Sequence, residues 1–275
     1  MSVQDQIFDV RGLRVVVTGA ASGLGFAMAE VMADAGARVT LADLNPTMLA
    51  EATQELGDRG ADVRSHVLDV SDHGQVQELF AGVVAEHGGV DTVFANAGIS
   101  TEPGFTHPEG GISAIDPEAW NTVLGVNLSG VVYTMGAAAA IMKEQGDGRI
   151  VVTSSNAGLR AEPLVGYSYA ATKAAVVNVV RQAALELASH GINVNAIAPG
   201  PFRTRIATGT LPDEAVEKMW AGLIPLGRMA ETDEMKGLAL LLGSRASSFI
   251  SGAVVEIDGC ATPSSHLTSP LPNAS

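Results

Sequence analysis

The chain has 275 residues, of which 47% are hydrophobic and 17% charged, so it can bury a sizeable core and does not have the composition of a disordered segment. Its formal net charge of -14 disfavours nucleic-acid phosphates and anionic membrane surfaces as partners, because both would be repelled. A small-molecule ligand fits this composition better.

Cys260 is the single cysteine, so no internal disulfide can form and nothing indicates an oxidising compartment. Residues 1–12 mix polar and apolar side chains and lack the apolar stretch of a secretory signal. The longest apolar runs, such as residues 137–142, are too short to cross a bilayer. We therefore expect a cytoplasmic protein with no membrane partner.

Seven short runs rich in Val and Ile alternate with longer stretches of helical pattern. Strands that are buried on both faces form such continuous apolar runs, and their alternation with helices is typical of a parallel sheet. The sequence predicts an α/β protein with a doubly wound Rossmann fold: a seven-stranded, mainly parallel sheet with helices on both faces. The predicted strands are residues 15–18, 39–42, 63–67, 92–95, 150–153, 192–198 and 254–257.

No linker rich in Pro, Gly or Ser interrupts this alternation, so we expect one domain over residues 1–260. A long loop, residues 100–116, follows the fourth strand. Residues 199–225 begin with Pro-Gly-Pro and are predicted to form a substrate loop, a candidate lid with a short helix around 214–222. Residues 261–275, rich in Ser, Thr and Pro, are predicted to be a C-terminal tail.

A glycine-rich turn, Thr18-Gly19-Ala20-Ala21-Ser22-Gly23-Leu24-Gly25, follows the first predicted strand and precedes a helical stretch that ends at Gly36. Glycines let the backbone turn tightly, and they let a pyrophosphate approach the N–H groups and positive dipole end of the helix. Glycine triplets also occur in ordinary turns. The order of strand, turn and helix nevertheless indicates a dinucleotide site.

Asp43 closes the second predicted strand, 18 residues after Gly25, close to the spacing of about 20 at which an acid meets the adenosine ribose. Its carboxylate would accept hydrogen bonds from the ribose hydroxyls and repel a 2'-phosphate, and neither Ser22 nor Leu44 supplies a positive charge. A solvated Asp at a strand end is the simpler alternative. We expect NAD, rather than NADP, as the cofactor.

Tyr169 and Lys173 are four residues apart, so a helix places them on one face. A free tyrosine, with a pKa of about 10, is a poor base near neutral pH. A neighbouring ammonium favours the phenolate and allows the pair to move a proton at working pH. Such a pair also arises by chance. The functional interpretation is supported here by Asn127, Ser155 and the glycine turn upstream.

Over residues 12–259 the chain resembles a short-chain dehydrogenase/reductase of the single-domain, NAD-dependent type. The glycine turn is similar to the family's cofactor motif, Asp69-Val70 to its adenine-contacting pair, and Asn96-Ala97-Gly98 to the motif after the fourth strand. Ala95 and Cys260 replace a usual Asn and a usual Gly. The resemblance implies a cofactor site made of Gly19, Ser22, Gly23, Leu24, Gly25, Asp43, Leu44, Asp69, Val70, Asn96, Ala97, Gly98, Tyr169, Lys173, Pro199, Gly200, Phe202 and Thr204.

The catalytic set that the resemblance implies is Asn127, Ser155, Tyr169 and Lys173, with no metal. The interval from Ser155 to Tyr169 is one residue longer than the commonest family spacing, so Ser154 or Asn156 could be the aligned position; Gly158 favours Ser155. By the resemblance, the tyrosine exchanges the proton and the serine binds the reacting oxygen. The lysine lowers the tyrosine pKa and holds the nicotinamide ribose, and the asparagine anchors a water.

The segments after Gly98, Ser155 and Gly200 build the substrate pocket in this family. They supply the substrate-binding candidates Asn156, Leu159, Arg160 and Trp220. Arg160 could pair with a carboxylate or phosphate, although solvation at the surface is the simpler explanation for any single Arg. We expect a small-molecule secondary alcohol or ketone of moderate size, with cyclic compounds among the candidates.

Residues 117–145 and 167–190 are predicted helices with many small side chains, and the corresponding helices pair between subunits in the family. A homotetramer is therefore expected, with a dimer as the alternative. Two other functions remain open: a non-catalytic dinucleotide-binding sensor, and a dehydratase or epimerase that uses bound NAD. The complete catalytic set argues against the sensor, and the ordinary chain length argues against the altered reaction.

Overall fold

The computed structural model describes residues 6–204, 206 and 211–263. A seven-stranded sheet runs through its centre in the order β3-β2-β1-β4-β5-β6-β7, and every neighbouring pair is parallel. All seven predicted strands are confirmed, and the sheet is wholly rather than mainly parallel. The strands are β1 Arg14–Thr18, β2 Arg38–Asp43, β3 Val63–Val67, β4 Thr92–Ala95, β5 Gly148–Thr153, β6 Ile192–Pro199 and β7 Val254–Ile257.

Helices cover both faces of the sheet, as the predicted doubly wound fold requires. One face buries a core cluster that includes Val76, Val131 and Val176, and the other buries a cluster that includes Met28 and Leu49. The helices are α1 Gly23–Asp34, α2 Pro46–Asp58, α3 His73–His87, α4 Pro117–Leu124, α5 Val131–Gln145, α6 Tyr167–Leu187, α7 Glu214–Ala221 and α8 Lys236–Gly243.

A π-helical turn, Gly125–Gly130, joins α4 to α5 into one continuous rod. By length and composition alone this rod, Pro117–Gln145, is apolar enough to cross a membrane, and 39% of its most apolar window is buried. The central helix of a globular protein passes the same test, and α5 contributes to the core cluster through Val131, Met135 and Ala138. The rod places one functional candidate, Asn127, inside its π-turn.

The ends of the helices are fixed by side chains that the sequence supplies locally. The Asn45 side chain accepts hydrogen bonds from the backbone N–H groups of Thr47 and Met48 at the start of α2, and Asp116 caps α4 through the N–H of Glu118. Both helices also carry Pro at their first position, where its missing N–H costs nothing. These caps set where the loops after β2 and β4 end.

Cys260 stands in the left-handed region with φ 72°, the one non-glycine residue with positive φ among those described. This conformation costs an ordinary residue about 1–2 kcal/mol, so a Gly would be less strained at this place. The chain beyond it still packs on the domain, because Ala261 is only 2% exposed. Residues 264–275 of the predicted tail lie outside the described residues.

Candidate active site

The candidate residues gather at the carboxyl ends of the strands, where the strand order reverses between β1 and β4. A crevice forms at such a switch point, because the connections on its two sides run to opposite faces of the sheet. The glycine turn lies between β1 and α1 on this edge, and residues 96–98 follow β4 on the same edge. The topology thus brings together segments that are far apart in the sequence.

The glycine turn leaves no room for a side chain at Gly19 or Gly25. A Cβ on Gly25 would lie 2.0 Å from the Gly19 carbonyl oxygen, and one on Gly19 would lie 2.8 Å from Ala97 Cα. Gly23 begins α1 with φ 58°, and Ser22 at the N-cap makes no side-chain capping bond. The first N–H groups of α1 therefore keep the capacity to bind an anion, and the turn fits a dinucleotide pyrophosphate.

Asn96, which follows β4, forms hydrogen bonds with the ends of β1 and β5. Its Nδ2 donates to the Thr18 carbonyl oxygen (3.1 Å), its backbone N–H donates to Thr18 Oγ1 (3.1 Å), and its Oδ1 accepts from Thr153 Oγ1 (3.0 Å). Sequence reasoning took Asn96 for a cofactor contact and missed both threonines. A Thr that ends a buried strand beside a predicted turn is the signal that could have identified them.

Asp43 lies at the rim of the glycine turn. Its Oδ2 accepts a hydrogen bond from the Ala21 backbone N–H (3.0 Å), and its Oδ1 accepts one from the Asn45 N–H (2.9 Å). The carboxylate is thereby held in one orientation at the end of β2. The Leu44 side chain that follows is 65% exposed.

The remaining cofactor candidates line the same edge with different partners. Asp69 Oδ1 accepts hydrogen bonds from the N–H and Oγ of Ser71, and Val70 packs against Gly130 at the end of the π-turn. Ala97 follows Asn96, and its backbone N–H donates to Thr18 Oγ1 (3.2 Å).

The segment after β6 reaches back to the glycine turn. A Cβ on Gly23 would lie 3.4 Å from Thr204 Cγ2, so Thr204 borders the turn. Gly200 packs closely on Asp258. Phe202, 6% exposed, forms a bridge with Ala230. A groove of about 290 Å³ lies between Thr204 and the turn.

Tyr169 and Lys173 lie on α6 as predicted, with Lys173 Nζ 5.6 Å from the centroid of the Tyr169 ring. The ammonium donates a hydrogen bond to the Thr153 carbonyl oxygen (2.8 Å) and is 2% exposed. Gly98 borders this ammonium, because a Cβ there would lie 3.3 Å from Nζ and 3.4 Å from Asn127 Oδ1. Three predicted residues therefore meet in one place.

Ser155 is the serine that pairs with the tyrosine. Its hydroxyl forms a hydrogen bond with Tyr169 and also accepts one from the Ala157 N–H (3.1 Å). The alternative Ser154 is fully occupied elsewhere, since its Oγ donates to the Lys173 carbonyl oxygen (2.8 Å) and it is 1% exposed. The geometry thus favours Ser155.

Asn127 is fully buried in the π-turn, a feature that is frequent at functional sites. Its Oδ1 accepts from the Ile99 N–H (2.8 Å) and its Nδ2 donates to the Ile99 carbonyl oxygen (2.8 Å). The side chain therefore fixes the loop that follows β4. Its contact with a water remains a prediction.

Burial shifts the pKa values of the two proton-handling groups. It raises the pKa of Tyr169, while the hydrogen bond with Ser155 acts in the opposite direction. It also lowers the pKa of Lys173 from 10.5 to about 8. The lowering of the Tyr169 pKa by the neighbouring Lys173 ammonium remains a prediction.

The four substrate candidates have different surroundings. Asn156 is 5% exposed, and its Nδ2 finds no hydrogen-bond partner among the residues that the structure describes. Arg160 is more shielded than a solvated Arg: its side chain is 18% exposed and pairs with Glu162 at 2.7 Å, because the loop folds back on itself. Leu159 is partly buried. Trp220 packs on the separate small cluster of Ile224, Met229 and Ala261.

Glu162 is the residue of this region that sequence reasoning missed. Its side chain is 5% exposed, which is unusual for a carboxylate unless it is paired. The Arg-x-Glu spacing of residues 160–162 was the available signal.

Comparisons with known proteins agree with the geometry. A family model described as Enoyl-(Acyl carrier protein) reductase matches residues 19–262. The chain is 37% identical to a cis-4-hydroxycyclohexanecarboxylate dehydrogenase of Sinomonas cyclohexanicum, over 89% of this chain and 94% of that one. A solved short-chain type dehydrogenase/reductase from Mycobacterium marinum is 35% identical, with a TM-score of 0.87 over 95% of this chain and 99% of the other.

A second solved structure is informative about the cofactor. The gluconate 5-dehydrogenase from Burkholderia cenocepacia J2315, in complex with NADP and tartrate, is 32% identical, with a TM-score of 0.85 over 93% of this chain and 97% of the other. Relatives of this fold thus include one that binds the phosphorylated cofactor.

The switch-point crevice, the glycine turn and the Ser155, Tyr169 and Lys173 cluster define a class of protein: an oxidoreductase that uses a nicotinamide dinucleotide. The chain belongs to the short-chain dehydrogenase/reductase family. The resemblance read from its motifs is confirmed.

The lowered pKa of Lys173 has a measurable effect on stability. The folded protein releases this proton near pH 8, whereas an unperturbed lysine holds it up to 10.5. Between these values unfolding takes up a proton, so the contribution of Lys173 to stability rises with pH. The raised pKa of Tyr169 acts in the opposite sense only above its ordinary value of 10.0.

We expect the free energy of unfolding of the wild type, minus that of Lys173→Met, to rise by about 1.5 kcal/mol between pH 8 and about pH 9.5. Urea unfolding of the cofactor-free proteins measures this difference. Lys143→Met is the matched control, because Lys143 is partly exposed and paired with Glu186. An equally flat profile for both variants would contradict the buried-charge explanation.

Proposed function

We propose that this protein is an NAD-dependent dehydrogenase that moves a hydride between the cofactor and a secondary alcohol or ketone of moderate size, including cyclic ones. The observation that carries the proposal is the phenol of Tyr169, hydrogen-bonded to Ser155 and close to the buried ammonium of Lys173. The relative from Sinomonas cyclohexanicum, whose name describes a hydroxylated cyclohexane ring, supports the inclusion of cyclic alcohols.

NAD, when bound, supplies the hydride acceptor, and the protein positions the alcohol and handles its proton. The Ser155 hydroxyl holds the reacting oxygen and stabilises the negative charge that develops on it. The Tyr169 oxygen takes the hydroxyl proton during oxidation and returns it during reduction. Lys173, anchored on the Thr153 carbonyl, stabilises the phenolate at the moment of transfer.

The preference for NAD over NADP rests on the fixed carboxylate of Asp43. Hydrogen bonds from Ala21 and Asn45 hold it at the rim of the glycine turn, where a 2'-phosphate would meet like charge. Arg203 lines the nearby groove, but its guanidinium is already paired with Glu217 (2.8 Å) and Glu231 (3.2 Å). No other described residue that lines this groove carries a positive charge.

Exchange of Asp43 for Ala removes the repulsion, and we expect the ratio of kcat/KM with NAD to kcat/KM with NADP to fall at least about tenfold. Steady-state kinetics with both cofactors and one alcohol measures the ratio. Asp58→Ala, which removes an exposed carboxylate at the end of α2, should leave the ratio unchanged. An unchanged ratio in Asp43→Ala would overturn the NAD preference.

Tyr169→Phe should lower turnover by at least about a hundredfold, because it removes the group that exchanges the proton. The dissociation constant for NADH should change little, as measured by fluorescence titration. Tyr167→Phe is the control, since Tyr167 lies on the same helix with 36% of its side chain exposed. Substantial turnover by Tyr169→Phe would refute the assigned role, because another group would then have to exchange the proton.

We also propose that the protein is a cytoplasmic homotetramer. Small side chains along α5 and α6, together with the exposed Val132 (41%) and Leu185 (79%), support close packing of these helices against another copy. Light scattering should give four times the chain mass of 28.2 kDa. A dimer mass would support the alternative assembly, and a monomer mass would contradict both.

A further inference from the structure

The segment between Ser155 and α6 is anchored at both ends. A Cβ on Gly158 would lie 2.4 Å from the Lys173 carbonyl oxygen, so the segment starts in direct contact with α6. Further on, Val165 forms an antiparallel bridge with Pro103 in the loop after β4. The residues between these contacts, which we call the wall, are therefore fixed at one end to α6 and at the other to the loop after β4.

This wall contains a shielded ion pair. Arg160 Nη2 lies 2.7 Å from Glu162 Oε2, with side-chain exposures of 18% and 5%. The desolvation of two such charges offsets much of their attraction, so a buried pair is weak evidence of a role in stability. Most other ion pairs of the described residues are more exposed, as in Arg64 with Glu86 at 56% and 49%. A role in recognition explains the burial better.

Two hydrogen-bond donors of the same turn lack acceptors. Arg160 Nε and Asn156 Nδ2 are buried and have no partner among the described residues. The residues are adjacent in space, because the Arg160 N–H donates to the Asn156 carbonyl oxygen (3.2 Å). An unpaired buried donor costs about 1–3 kcal/mol, so the turn favours a molecule that brings an acceptor.

The position of Asn156 indicates where that acceptor would be. Its Oδ1 lies 3.5 Å from Ser155 Oγ, the atom that binds the reacting oxygen in the proposed function. A substrate held by Ser155 therefore lies beside the Asn156 amide, on the turn that also carries the Arg160 donor. A second oxygen elsewhere on its skeleton is the acceptor that these donors would bind. Hydroxyl, carbonyl and carboxylate oxygens are all acceptors, and charge distinguishes among them.

We propose that Glu162 is a specificity-determining residue: by neutralising Arg160, it makes this donor pair accept a neutral second oxygen in preference to a carboxylate. The inference rests on the proposed function for the position of the substrate. A carboxylate placed at Arg160 shares the guanidinium with Glu162, and the two like charges repel each other in a shielded place. A hydroxyl or carbonyl oxygen uses the same donors without that repulsion.

Three probes separate the effects: cis-4-hydroxycyclohexanecarboxamide, the corresponding carboxylate, and cyclohexanol, which has no second polar group. The measured quantity is the ratio of kcat/KM for the amide to that for the carboxylate, with NAD. The wild type should prefer the amide. Glu162→Gln should lower the ratio about tenfold, since Arg160 then offers an uncompensated charge-assisted hydrogen bond to the carboxylate.

Two further variants test whether the change in the ratio comes from charge or from a disturbed fold. Arg160→Gln leaves Glu162 uncompensated and should raise the ratio, whereas the double variant with both substitutions should return it close to the wild-type value. Glu86→Gln, which removes an exposed partner of Arg64, should leave it unchanged. A merely structural role for the pair would not produce opposite shifts that cancel.

An unchanged ratio in Glu162→Gln, or a wild type that prefers the carboxylate, overturns the inference. Cyclohexanol keeps this result separate from the proposed function, because its oxidation tests hydride transfer without the second oxygen. If none of the three alcohols is oxidised, the proposed function fails for this class, and calorimetric dissociation constants on NAD-saturated enzyme still give the amide-to-carboxylate preference. Failure of both polar probes to bind also overturns the inference.

Discussion

The buried ammonium of Lys173 is the interaction on which the rest of the site depends. Its Nζ donates to the Thr153 carbonyl at the end of β5, and its own backbone carbonyl accepts from Ser154. Helix α6 is therefore held to the end of β5 at two points. That attachment fixes Tyr169, on the same helix, beside Ser155. A charge so buried costs stability, which explains its low pKa; in the proposed function this charge stabilises the phenolate.

The second constraint is steric, on the cofactor side. Gly25 lies so close to the Gly19 carbonyl, and Gly19 so close to Ala97, that neither tolerates a Cβ. Asn96 donates hydrogen bonds to the Thr18 and Gly19 carbonyl oxygens at the start of this turn. The first turn of α1 is thus directed at the crevice by contacts within the fold. Rigid placement of these N–H groups is what lets an anion bind without further ordering of the chain.

The sequence predicted the fold well because its signal is local. Each strand is a continuous apolar run, and each run was found within about two residues of its true ends. The pairing of Tyr169 with Lys173 was also predictable, since helical spacing determines it. Ser154 and Ser155 could not be separated in this way: neighbours in extended chain point to opposite sides, and only the position of α6 decides which side faces the tyrosine.

The contacts that could not be predicted from the sequence are those that depend on irregular backbone. Glu162 pairs with Arg160 because the loop turns back within three residues. Trp220 packs on a separate cluster that follows β6 in the chain. The two departures differ in origin. The first depends on local backbone angles that no periodic pattern encodes, and the second depends on where a distant segment, around Ala261, happens to pack.

An acidic side chain held in one orientation lies at each end of the site. At the cofactor end, Asp43 is oriented by two backbone N–H groups, so its carboxylate cannot turn away from an added phosphate. At the substrate end, Glu162 is oriented by Arg160 and can do the same to a carboxylate. Between them, Lys173 is a cation already engaged by the Thr153 carbonyl oxygen. In the proposed function, both fixed acids therefore act against anionic ligands that resemble the accepted ones, and in a protein of net charge -14 this selectivity adds to the self-repulsion of the folded state.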